Sequence, residues 1–271
     1  MANVFEQVQN AHVHDLGQPY FVGMPHHPAH PPFLFGLTKK HGDLVLDGEV
    51  SSSADAIALG THVGTHIDAL CHFSCGGKMY GGMEAAANQT HTAGMKLLSV
   101  DTIAPILRRG VLLDIAGNRG LDALPPDFTV TPRHLDQAVE RQGVVIGPGD
   151  VVLLRTGWGA FWNDPVRYIT GGHGSQPTGP GPERDGAEWL SSRGIFAAGS
   201  DTVAFERVPS GMAVHVHLLV ESGIHIIEAL NLEQLAADRV YEFLFVAIPL
   251  RIRGATGSPI RPVAIAAGSG A

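Results

Sequence analysis

The sequence has little of what would place it on a membrane, on nucleic acid or in an oxidising compartment. Two cysteines among 271 residues, Cys71 and Cys75, are too few for a disulfide framework. The eighteen Lys and Arg residues form no basic run, and with twenty-six Asp and Glu the formal net charge is -8. That balance leaves no electrostatic footprint for nucleic acid or anionic lipid. No window approaches about eighteen uninterrupted apolar residues, and the start "MANVFEQVQNAHVHDLG" lacks the basic and apolar regions of an export signal. These absences predict a soluble, cytoplasmic protein whose partner is a small molecule.

What is abundant points to loops and to chemistry. The chain holds 15 histidines, 34 glycines and 18 prolines, a composition of tight turns and long connections. A hydrophobic content of 44% over 271 residues suffices for one core, so residues 1–271 read as a single domain. Prolines at 25, 28, 31 and 32 exclude regular helix from "GQPYFVGMPHHPAHPPFLFG". An extended N-terminal segment of about residues 1–40 is therefore expected to lie over the body.

Further on, "VLLDIAG" (111–117) and "DVVLLRTG" (150–157) are glycine-bounded, β-rich runs expected to be buried strands. Between them, Thr131 as N-cap, Pro132 at the first helical position and Gly143 as stop predict a helix. Residues 164–186 have the composition of a long irregular loop within an insert of about 156–186. After it, "GAEWLSSRG" reads as helix, "IFAAGSD" as strand, "AVHVHLLVESG" as short helix, "IHIIEAL" as strand, "NLEQLAAD" as helix and "VYEFLFVAIPL" as strand. Interleaved strands and helices give an α/β chain.

One stretch concentrates coordinating groups: "THVGTHIDALCHF", residues 61–73. A helix would bring His62 and His66 to one face, but Val63, Thr65 and Ile67 are β-branched and Gly64 is a poor helix former. A strand or extended turn is expected instead, with His62, His66 and Asp68 on one side. In a straight strand the two histidine Cα atoms would be about 13 Å apart, too far to share an ion at about 2.1 Å per Zn–N bond. The chain is thus predicted to bend at Gly64. Two imidazoles and a carboxylate make an open, catalytic type of metal set, and His72, four residues past the carboxylate, is placed to serve as general base and later general acid. Cys71 as nucleophile with His72 as base is disfavoured, because strand neighbours point to opposite faces.

"HVGTHIDALCHF" resembles the signature of the cyclase-like metal-dependent hydrolases, the family of bacterial kynurenine formamidase and isatin hydrolase, whose pattern is H-x-G-T-H-x-D-x-P-x-H-F. Leu70 stands where that pattern has proline. The resemblance extends to "DLGQPYFVGMP", "GIFAAGSDT" and "HLLVESGIHIIEAL". It implies that His62, His66 and Asp68 are ligands of Zn2+ or Mn2+, that His72 is the acid/base, and that His217 and Glu228 hold a second ion or position substrate, with His215 as competitor for the histidine role. It also implies a mixed β-sheet partly rolled into a barrel with surrounding helices, one or two ions per subunit, and a homodimer or homotetramer.

The function this predicts is hydrolysis of a small amide, formamide or cyclic amide such as an isatin-like lactam. Phe73, Trp158, Trp162 and the N-terminal aromatics are candidate pocket walls. The alternatives are lactone hydrolysis or cyclisation of a small carbonyl compound, and a non-catalytic, metal-dependent binding protein.

Overall fold

The computed structural model describes residues 10–266. Its centre is a nine-stranded mixed sheet, partly rolled. Four strands, Ile106–Asp114, Val151–Arg155, Ala197–Ser200 and His225–Glu228, run parallel in that order. Antiparallel strands extend the sheet on both sides. On one side Glu242–Ala247 pairs with Ile106–Asp114, then Val263–Ala266 and His12–Asp15 follow. On the other, His66–Asp68 pairs with His225–Glu228, and Gly257–Pro259 closes the order.

Val151–Arg155 opens with the unbroken apolar run Val-Val-Leu-Leu because both of its faces are covered. In Val151–Arg155, Val151 and Leu153 enter one core layer with Ile67, Ile227, Phe243 and Phe245. Val152 and Leu154 enter the other, against helices. Those helices contribute Leu135 and Ala138 from Pro132–Gln142, Ala187 and Leu190 from Arg184–Ser191, and Leu218 and Leu219 from the helical stretch that follows Ala213. The predicted helix thus begins and stops where its proline and glycine place it, with Gly143 left-handed at φ 65°.

Two expectations need correction. The 164–186 stretch is not wholly irregular: Pro165–Thr170 is a helix, with the Asp164 carboxylate accepting the Arg167 N–H and Gly171 left-handed at its end. The cap signals were present but outweighed by the glycines that follow. Residues 1–9 of the expected N-terminal segment lie outside the described residues, and from residue 10 on the segment covers the body only as far as Phe33, which is buried. Leu34–Lys39 then pairs with Ala54–Ala58 in a hairpin whose residues are almost all solvent-exposed. No helix of the described residues is long and apolar enough to cross a membrane.

Candidate metal centre and active site

The site forms because of strand register. Within His66–Asp68, Ile67 points into one core layer, so His66 and Asp68 point out of the opposite face. Glu228 is the direct cross-strand partner of His66, as Ile227 is of Ile67, which brings its carboxylate to the same face. Burying Ile67 contributes about 1.5–3 kcal/mol and at the same time fixes which way the polar pair faces.

The bend predicted at Gly64 is present. Residues 61–65 form a turn, Gly64 has φ 71°, and the His62 and His66 rings come to 5.3 Å centroid separation, edge to face. A Cβ at Gly64 would overlap the Tyr20 ring, whose hydroxyl donates to the Val63 carbonyl at 2.9 Å. The Gln18 backbone N–H donates to Thr65 Oγ1 at 2.8 Å, and Thr65 Oγ1 donates to the Ala229 carbonyl at 2.6 Å. The "DLGQPY" segment therefore braces the turn that carries the histidines.

Asp68 is the hub. His62 Nδ1 lies 2.7 Å from Asp68 Oδ1, and His66 Nε2 lies 3.5 Å from that oxygen and 3.4 Å from Glu228 Oε2. His66 donates from Nδ1 to the Gly64 carbonyl at 2.8 Å, so Nε2 is the nitrogen that can give up its proton and turn a lone pair toward an ion. That Nε2 and Asp68 Oδ2 are buried with no hydrogen-bond partner. Buried polar atoms are rarely left unpaired, and an imidazole nitrogen beside a carboxylate oxygen, neither with a hydrogen-bond partner, fits a divalent cation. The donors group as His66, Asp68 and Glu228, and as His62, Asp68 and His72, with Asp68 shared.

Helix pitch decides between the two C-terminal histidines. His215 turns inward: its Nε2 is 3.2 Å from Glu228 Oε1 and 3.9 Å from Asp68 Oδ2. His217, two residues on, contacts Ser191 Oγ and Glu221 Oε2, each at 2.8 Å, and does not reach the site. Residues two apart on a helix differ by about 200°, so only one can face Asp68. The amphipathic pattern held the signal, because His215 shares its face with buried Leu218 and Leu219 whereas His217 pairs with Glu221 four residues on.

His72 stacks on His62 at 3.8 Å, and its ring nitrogens have no hydrogen-bond partner among the described residues. Burial pushes its imidazole down to about 4, so the ring is neutral at pH 7 and free to take a proton. Burial alone would also lower His66 and His215, but their carboxylate partners overcome it and lift each to about 10. For His66 those partners are Asp68 and Glu228; for His215 they are Glu206 and Glu228, with the Asp68 charge adding to the pull.

Other expectations sort by contact. Phe73 is at the site, 4.9 Å from His72 and 4.8 Å from His215 between ring centroids. Trp158 and Trp162 are packing residues, their indole N–H groups donating to the Leu124 and Pro19 carbonyls. Burial pushes the Cys71 thiol up to about 12, which removes it as a nucleophile. Sequence reasoning missed Glu206, which holds His215, Thr256, 2.8 Å from His62 Nε2, and His30, whose ring stacks 5.1 Å from His62. The run "MPHHPAHPP" was the available signal for His30; Glu206 and Thr256 had none.

A family model described as "Putative cyclase" matches residues 14–207. The chain belongs to the cyclase family. It is 29% identical over 214 residues to an isatin hydrolase of Roseibium aggregatum, covering 77% of this chain and 73% of that protein. It is 27% identical over 251 residues to a kynurenine formamidase of Bacillus thuringiensis subsp. konkukian, covering 92% and 95%. Among solved structures, one described as a novel cyclase superposes with a TM-score of 0.85 at 29% identity, over 96% of this chain and 90% of that one. The named relatives are hydrolases that act on carbon–nitrogen bonds.

Proposed function

We propose that this protein is a metal-dependent hydrolase of small formamides or cyclic amides, including isatin-like lactams, with His72 as the proton carrier. The observation that carries the reading is the buried, partnerless pair His66 Nε2 and Asp68 Oδ2 close to the unbonded imidazole of His72. The isatin hydrolase and kynurenine formamidase relatives support it.

His62, His66 and Asp68 would hold a Zn2+ or Mn2+ ion, and His215 and Glu228 would share in it or hold a second through Asp68. When bound, the ion supplies Lewis acidity toward a carbonyl and toward water. The protein's own part is to orient and to move a proton. The Gly64 carbonyl fixes the His66 ring, and Glu206 fixes His215. His72 takes a proton as water attacks and returns it to the leaving nitrogen, and the Asp68 and Glu228 charges stabilise the imidazolium formed in between. Phe73 and His30 supply a wall and a rim for a flat substrate.

A homodimer or homotetramer is part of this proposal. The hairpin Leu34–Ala58 exposes Leu34, Phe35, Leu37, Val45, Leu46 and Ile57, and an isolated two-stranded hairpin is marginal in water. Sedimentation tests it: a dimer or tetramer supports the reading, and a monomer at micromolar concentration contradicts it. The activity is tested by a hydrolysis screen over formamides, lactams and lactones with ion-reconstituted protein. Turnover of an amide that is lost on chelation supports the proposal, and turnover confined to lactones overturns its substrate class.

A further inference from the structure

A cavity lies at the far end of the strand that carries Glu228. It encloses about 280 Å³ and is lined by Leu70, Leu98, Ile103, Phe196, Arg108 and His225 among others. His225 opens the strand His225–Glu228, so about 10 Å of backbone separates it from Glu228. The volume sits just under the usual range for drug-sized ligands, roughly 300–1,000 Å³, and suits a single small ring.

Two polar groups face this space with unmet capacity. His225 is only 9% exposed, and its Nδ1 lies 2.9 Å from the Asp68 backbone carbonyl. A carbonyl only accepts, so Nδ1 is the donor and Nε2 of the neutral ring carries a lone pair. No described residue donates to that Nε2, and the atom is not sealed from solvent. Arg108 lies with its guanidinium 4.0 Å above the Phe196 ring and donates to the Gly149 carbonyl at 3.3 Å, and it forms no ion pair among the described residues. Among the described residues no aspartate or glutamate lines the cavity. The result is an apolar slot with a hydrogen-bond acceptor inside and an unneutralised guanidinium along one wall.

We propose that this cavity binds a small aromatic acid that also carries a hydroxyl or amino donor. The donor reaches His225 Nε2, the carboxylate pairs with Arg108, and the ring lies among Leu70, Leu98, Ile103 and Phe196. Binding here is independent of the hydrolytic reading. The cavity nonetheless touches the metal centre from behind, because His225 holds the Asp68 carbonyl and Leu70 sits in the turn closed by the His72 N–H on the Ala69 carbonyl at 2.9 Å. Leu70 is also the motif's departure from the family pattern. A ligand drawn toward His225 is therefore felt at Asp68.

The test is calorimetric titration of ion-loaded protein with 3-hydroxybenzoate, benzoate and phenol, on the natural sequence and on Arg108→Gln and Ile103→Trp. The second variant fills the cavity and removes neither polar group. Expected is saturable binding of 3-hydroxybenzoate, weaker binding of the two fragments, and a loss of about tenfold or more in both variants, the scale of one charge-assisted hydrogen bond. Saturation is further expected to shift the apparent ion affinity of the natural sequence. Affinity unchanged in both variants would place the acid elsewhere, including on the ion, and overturn the site. Binding with ion affinity unmoved would overturn the link to Asp68.

Discussion

Glu206 Oε2 accepts two hydrogen bonds from His215, one from ring Nδ1 at 2.7 Å and one from the backbone N–H at 2.9 Å. The pair fixes the tautomer of a buried imidazole and aims its Nε2 at Glu228 and Asp68. Removing such a partner typically costs ten- to about a hundredfold in metal affinity. Glu206→Ala is therefore expected to weaken ion binding by about that factor, with Glu206→Gln retaining part of it because an amide oxygen still accepts. Competition with a chromogenic chelator measures this, and an unchanged affinity in Glu206→Ala would remove His215 from the ion's surroundings.

Gly64 is the second point of leverage. Its φ of 71° lies in the left-handed region, and the Tyr20 ring occupies the space a side chain would need. Gly64→Ala should lower stability by about 1–3 kcal/mol and reduce the bound ion, because the turn that joins His62 to His66 must shift. Thermal unfolding and metal analysis of one preparation report both effects. A variant as stable and as metal-rich as the parent would show that the bend does not set the site.

The charge balance around Asp68 makes ion-free stability depend on pH. His66 and His215 are lifted to about 10 in the folded protein, above the roughly 6.5 of an unfolded histidine. Their contribution is complete below about 6.5 and disappears as pH rises toward 10, at most about 1.4 kcal/mol per pH unit for each. Chelator-treated protein should show a Tm that falls between pH 7 and pH 10, whereas loaded protein falls less, and ion uptake should release protons. Parallel Tm curves with and without ion would contradict this arrangement.

Cys71 supplies a control. It is buried, its thiol only 3.9 Å from the Ala255 carbonyl, and it has no place in the proton path. Cys71→Ala should leave kcat within about twofold and cost about 1 kcal/mol or slightly more from the lost packing. Loss of turnover with ion content intact would reinstate the thiol.

How much of this was legible in the sequence depends on how local each feature is. The bend at Gly64, the shared face of His66 and Asp68 and the Pro132–Gln142 helix follow from spacing, β-branching and capping within a few residues. The place of Glu228 required register, since only the pairing of Ile227 with Ile67 sets it opposite His66. Glu206, Thr256 and His30 reach the site from distant segments; the histidine-rich run at 24–32 is a local mark for His30, and nothing in the immediate sequence marks Glu206 or Thr256. His215 was the intermediate case: the helix was readable, and its pitch would have chosen His215 over His217. The Gly257–Pro259 strand, three residues with no apolar run, exists through its pairing with His66–Asp68.

The central claim is that ion and imidazole act together on a carbon–nitrogen bond. Its most direct test is the hydrolysis of isatin and of an N-formyl aromatic amine by the natural sequence, by His72→Ala and by His66→Ala, each with its ion content measured. The account predicts turnover that chelation abolishes and Zn2+ or Mn2+ restores, a fall of about 10²–10⁴-fold in His72→Ala with ion retained, and loss of both ion and activity in His66→Ala. Undiminished turnover in His72→Ala, or in protein stripped of its ion, would contradict it.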